Sequence, residues 1–143
     1  MRRYLYLASD EELPLIKWEE SRPAFNVDQL QDYDLDVVKQ FSKPYMVFLG
    51  AHTSCGCGFL YDSEPRVSED EVQDDQDARA SVKLLVAYLE EQAKRSSLEL
   101  FACWNGDQGE VPVERISVKP GYFDHPTEFP IGDEPTFFTI SKI

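Results

Sequence analysis

A chain of 143 residues, 42% hydrophobic and 13% aromatic, carries enough apolar material for one packed core and too much of it for a disordered segment. Its 27 acidic residues against 14 basic ones give a net charge of -13, which repels nucleic-acid phosphates and anionic lipid. The balance therefore counts against a nucleic-acid or membrane partner and leaves room for a basic protein partner.

In chain order, Arg3 to Ala8 alternates aromatic and aliphatic side chains, the pattern of a strand. Ser9 or Asp10 is placed to cap a short helical turn that ends near Pro14. Through Leu15 to Asn26 the pattern is irregular, with Trp18, Pro23 and Phe25 as packing anchors. Leu35, Val38 and Phe41 recur every three residues, which predicts a short helix broken by Ser42-Lys43-Pro44. Tyr45 to Ala51 is the most continuous apolar run and reads as a central strand buried on both faces.

Asp62 to Asp77 is acidic, relieved only by Arg66, and reads as a solvated loop or the entry to a helix. It lacks the ligand spacing of a calcium-binding loop. The main helix is expected over about 77–95. Ala78, Val82, Leu85 and Leu89 share one face there, with acids at the start and Lys94 and Arg95 at the end. Leu98 to Trp104 reads as a strand, with Leu98, Leu100 and Ala102 on one face and Phe101 and Cys103 on the other. Asn105-Gly106-Asp107-Gln108-Gly109 is turn chemistry, so Val111 to Val118 is expected to return as a hairpin partner, bulged near Glu114 or Arg115. Pro120 to Pro135 is loop-like, with Tyr122, Phe123 and Phe129 available for packing. Thr136 to Ile140 makes a last strand. Together these elements predict one α+β domain over 1–143, in two layers. A roughly five-stranded mixed or antiparallel sheet is packed by one main helix and accompanied by short ones.

The segment that carries chemistry is His52-Thr53-Ser54-Cys55-Gly56-Cys57-Gly58, at the end of the Tyr45–Ala51 strand. Loops that leave a rigid strand are favoured places for function. Two thiols and an imidazole are soft and borderline donors that suit zinc, and Cys103 is the available fourth ligand. The predicted metal ligands are therefore His52, Cys55, Cys57 and Cys103. Thiol chemistry competes: Cys55-Gly56-Cys57 could close a small, strained disulfide ring, and His52 or His125 could serve a cysteine nucleophile as base. A packing role competes with both, since cysteine is among the most buried residue types. Three cysteines do not make a disulfide framework, and the short apolar stretch after Arg2-Arg3 is too brief for a signal peptide. The expected location is cytoplasmic. The zinc-deaminase, metalloprotease, phosphate-loop and serine-hydrolase motifs do not occur in this sequence.

Overall fold

The computed structural model describes residues 2–143. Six strands form one mixed sheet: β1 (Arg3–Ser9), β2 (Asn26–Asp28), β3 (Tyr45–Gly50), β4 (Leu98–Trp104), β5 (Glu114–Val118) and β6 (Thr136–Ile140). Their order across the sheet is β2-β3-β1-β4-β6-β5. All neighbours are antiparallel except β5 and β6, which run parallel. One long helix, α1 (Glu69–Ala93), packs on one face, which gives the two-layer α+β arrangement that the sequence predicts, with one strand more than expected. No described helix is long and apolar enough to cross a membrane.

The period-two alternation of the strands sorts the core into two clusters. Leu5 and Leu7 of β1, Leu98, Leu100 and Ala102 of β4, and Phe138 and Ile140 of β6 face α1. They meet the helix residues Ala78, Val82, Leu85 and Leu89. Tyr4, Tyr6, Phe101, Cys103 and Phe137 face the other way, and are covered by Val37 and Cys55. Strands β1 and β4 are therefore buried on both faces and lie at the centre of the sheet.

Several sequence expectations need correction. The central strand is not Tyr45–Gly50: β3 lies one place in from the edge, Tyr45 is exposed, and Met46 and Phe48 are half-buried. Ser9 and Asp10 cap no helix; Ser9 ends β1 and its hydroxyl accepts the Glu11 N–H at 3.1 Å. Pro23 anchors nothing and is exposed, whereas Phe25 is buried against Phe59 and Tyr88. Helix α1 starts eight residues before the expected 77. The Ser68 hydroxyl accepts the Glu71 N–H at 3.1 Å, and Glu69, Asp70 and Glu71 fill the first turn, where the helix dipole favours acids. The acidic stretch is thus helical over its second half. Arg66 bridges Asp62 and Asp75 at 3.0 and 3.2 Å, and Arg79 joins Asp75 at 2.9 Å.

The expected β4–β5 hairpin does not form. Strand β6 lies between them, because Phe137 and Phe138 need burial on both faces while β5 offers only the half-buried Ile116 and Val118. The β5–β6 register is regular from Glu114 to Val118, so the expected bulge is absent. Gly106, with φ +100°, does make the expected turn. Finally, the short helix near residue 35 is a 3₁₀ helix, Asp32–Gln40, whose buried positions are Asp34 and Val37. Leu35 and Val38 point outward, 57% and 42% exposed. Three residues per turn puts positions three apart on one face, and the buried set is 34 and 37 rather than 35 and 38.

Val37→Ala is expected to cost about 2 kcal/mol in chemical denaturation, and Val38→Ala less than about 0.5 kcal/mol. Equal costs would show that the face is wrongly assigned.

Candidate functional site

The site grows out of the end of β3. The chain turns at Ala51, where the Ser54 N–H bonds the Ala51 carbonyl at 2.9 Å and the Ala51 N–H returns to the Cys55 carbonyl at 3.0 Å. Closing so tight a loop puts Ser54 at φ +64°, a left-handed conformation uncommon for a residue with a side chain. A single 3₁₀ turn, Gly56–Phe59, follows and carries the chain back into the core through Phe59.

This turn is pressed onto the first residue of β1. A Cβ on Gly56 would sit 2.7 Å from the Arg3 carbonyl oxygen, too close for any other residue without a backbone shift. Beside it, the Arg3 N–H donates to Cys57 Sγ at 3.1 Å. The Arg3 side chain, only 2% exposed, stacks 4.2 Å over the Trp104 ring, bonds the Gly132 carbonyl and reaches Asp133 at 3.5 Å. Its Nε is buried without a hydrogen-bond partner among the described residues.

The four residues singled out from the sequence separate into three environments. Cys55 and Cys57 lie two residues apart on the turn, Cys55 Sγ 3.5 Å from the Thr53 hydroxyl and Cys57 Sγ accepting the Arg3 N–H. Cys103 is buried in the same cluster as Cys55, opposite Tyr4 in the β1–β4 ladder. His52 turns away: its Nδ1 and its backbone N–H both lie 3.1 Å from the Ser81 hydroxyl on α1, and its carbonyl accepts the Trp18 indole N–H at 2.9 Å. Among the described residues, no group of three or more histidine, cysteine or acidic side chains is arranged to hold a metal ion. His125 is on an exposed turn with Thr127. All three cysteines carry free thiols.

The three thiols differ in acidity for physical reasons. Burial pushes the Cys55 thiol up, but the Thr53 hydroxyl at 3.5 Å and the thiol and backbone N–H of Cys57 outweigh it, so the net shift is downward. Burial and the neighbouring Cys55 push Cys57 up, against the Arg3 N–H. Burial pushes Cys103 up to about 12. Cys55 is thus the sulfur best disposed to become a thiolate, the nucleophilic form.

Cys55 also lines a cavity of about 320 Å³ that the sequence did not reveal. Its walls come from four separate segments: Arg2 and Tyr4, Trp18, residues 26–34 with Asp28 and Tyr33, and Phe48 with the cysteine loop. No local motif marks such a site, because its residues meet only when the sheet forms. Comparison with protein-family models, curated proteins and solved structures finds no match for this chain.

Two outcomes follow from this geometry. Gly56→Ala is expected to destabilise the fold by about 1–3 kcal/mol, read as a lowered denaturation midpoint, because the turn must lift off Arg3. The alkaline limb of stability should fall from about pH 8.5, where the unfolded chain releases the Cys103 proton that the folded chain keeps. The folded pKa is the higher one, so the stability is present below the unfolded pKa and is lost as pH rises toward about 12. Denaturation between pH 8 and 10 should show a shallower decline for Cys103→Ala than for the parent.

Proposed function

We propose that this protein works by thiol–disulfide exchange at Cys55 and Cys57, with Cys55 as the attacking sulfur, in a reducing compartment such as the cytosol. The observation that carries this reading is the position of Cys55 at the wall of a cavity, its sulfur 3.5 Å from the Thr53 hydroxyl and a second thiol, Cys57, two residues on. Those groups favour the thiolate and leave it access to a small reactant.

The steps balance as ordinary exchange. The Cys55 thiolate attacks one sulfur of a disulfide, forming a Cys55 mixed disulfide, and the other half leaves as a thiolate that takes up a proton. The Cys57 thiol then loses its proton and attacks Cys55 Sγ. The Cys55–Cys57 disulfide forms, and the second half leaves as a thiol. Two electrons pass from the protein dithiol to the substrate disulfide. A ring closed across one residue departs from relaxed disulfide geometry, so cellular dithiols of a reducing compartment readily return the oxidised pair to the dithiol for another turnover. Cys103 takes no part, as its thiol is the most strongly held in the neutral form.

A second reading rests on the same two sulfurs. A pair of adjacent thiolates suits a soft metal ion, zinc included, although His52 is engaged with Ser81 and does not complete a ligand set. Elemental analysis of protein purified without chelator separates the two: near-stoichiometric metal lost in Cys57→Ser supports the metal reading.

For exchange, Cys57→Ser exposed to a small disulfide is expected to accumulate a stable mixed disulfide at Cys55, seen by intact-mass and peptide mass spectrometry. Cys55→Ser should accumulate none at Cys57 on the same time scale. Adducts at Cys57 or Cys103 instead would contradict the assignment.

A further inference from the structure

The cavity beside Cys55 has a character of its own, beyond admitting a reactant. Cys55 is only 6% exposed, so a disulfide held in a folded protein surface cannot present its sulfur there, whereas a small molecule entering the cavity can. About 320 Å³ is at the low end of ligand-site volumes. Two carboxylates, Asp28 and Asp34, line it against one guanidinium, Arg2. The Asp34 oxygens are held by the Tyr6 hydroxyl and the Gln31 N–H, while Asp28 is exposed and, among the described residues, one of its oxygens accepts a bond, from the Gln29 N–H. Aromatic rings line the same cavity: Tyr4, Trp18, Tyr33 and Phe48. Carboxylates attract an ammonium group directly, and ring faces attract it through their quadrupole. A carboxylate-bearing reactant meets repulsion from the two carboxylates and the ring faces; Arg2 is the one cationic side chain in the lining, and Asn26, Gln29, Gln31 and Ser54 are neutral.

We propose that this cavity selects low-molecular-weight disulfides that carry an ammonium group over those that carry a carboxylate. The proposal rests on the exchange reading and deepens it by naming the substrate class. The ammonium group docks among Asp28 and the aromatic rings, and the disulfide is held at Cys55 Sγ. Exchange then proceeds with the atom and electron balance given above, and the amine-bearing thiol is the leaving group.

The test compares three linear disulfides of similar length. They are cystamine with two ammonium groups, 2-hydroxyethyl disulfide with none, and 3,3′-dithiodipropionate with two carboxylates. Each reacts with the Cys57→Ser protein and with a short cysteine peptide, at physiological ionic strength, and Cys55 adduct formation is followed by mass spectrometry. The expected result is a cystamine-to-dithiodipropionate rate ratio about tenfold or more above that of the peptide. Asp28→Asn should lower that ratio about threefold while sparing the hydroxyethyl disulfide rate. Asp74→Asn, an exposed acid on α1, should leave it unchanged, which separates the cavity from the overall charge of -13. A ratio equal to the peptide's, or equal effects of the two aspartate substitutions, overturns the selectivity while the exchange reading stands. No adduct at Cys55 with any of the three overturns both.

Discussion

The Gly56 backbone and the Cys57 sulfur both rest on Arg3, the first residue of β1, and much of the site depends on that contact. Gly56 sits where a Cβ would lie 2.7 Å from the Arg3 carbonyl, and Cys57 Sγ accepts the Arg3 N–H at 3.1 Å. Strand β1 is in turn fixed between β3 and β4 and buried on both faces. The loop is thereby referred to the most rigid part of the sheet, and its sulfurs inherit a defined position. Arg3 completes the clamp from the far side, stacked on Trp104 at the end of β4. The strand that supports the loop and the strand that buries Cys103 are the same central pair.

That placement divides three chemically identical thiols into three roles. Burial alone would raise all of them. Cys103, deep between the strand ladder and Phe137, shows burial acting almost unopposed. Cys57 feels burial and the neighbouring Cys55, softened by one backbone N–H. Cys55 alone shifts downward despite its burial, with the Thr53 hydroxyl 3.5 Å from its sulfur, and it alone of the three lines the cavity. The surroundings of each sulfur, more than its depth, set the order of thiol acidity. His52, expected from the sequence to join the three cysteines as a metal ligand, lies with its backbone N–H and ring Nδ1 3.1 Å from the Ser81 hydroxyl of α1.

The sequence showed what depends on local pattern. Strands β1, β4 and β6 and the buried face of α1 follow from side-chain period, and Gly106 follows from turn chemistry. Position within the sheet did not follow. The run Tyr45–Ala51 is as apolar as a central strand, yet it sits one place in from the edge, and Tyr45 is exposed while Met46 and Phe48 are half-buried. The parallel β5–β6 pair requires a partner that comes later in the chain, which a hairpin argument cannot see. The start of α1 was legible and overlooked: Ser68-Glu69-Asp70-Glu71 has the serine and glutamate spacing of a helix N-terminus. Of the site, the cysteine pair and its supporting glycines were visible as a cluster. The cavity was not, since Arg2, Trp18, Asp28 and Phe48 are far apart in sequence and share no motif.

The most direct measurement of the central claim is the pH dependence of alkylation at each cysteine of the intact parent protein, read by peptide mass spectrometry. Cys55 should react first, its midpoint shifted below that of an ordinary thiol. Cys57 should follow at higher pH, and Cys103 should stay unlabelled until the fold opens. Cys57 or Cys103 labelling ahead of Cys55, or all three titrating together, would contradict the account.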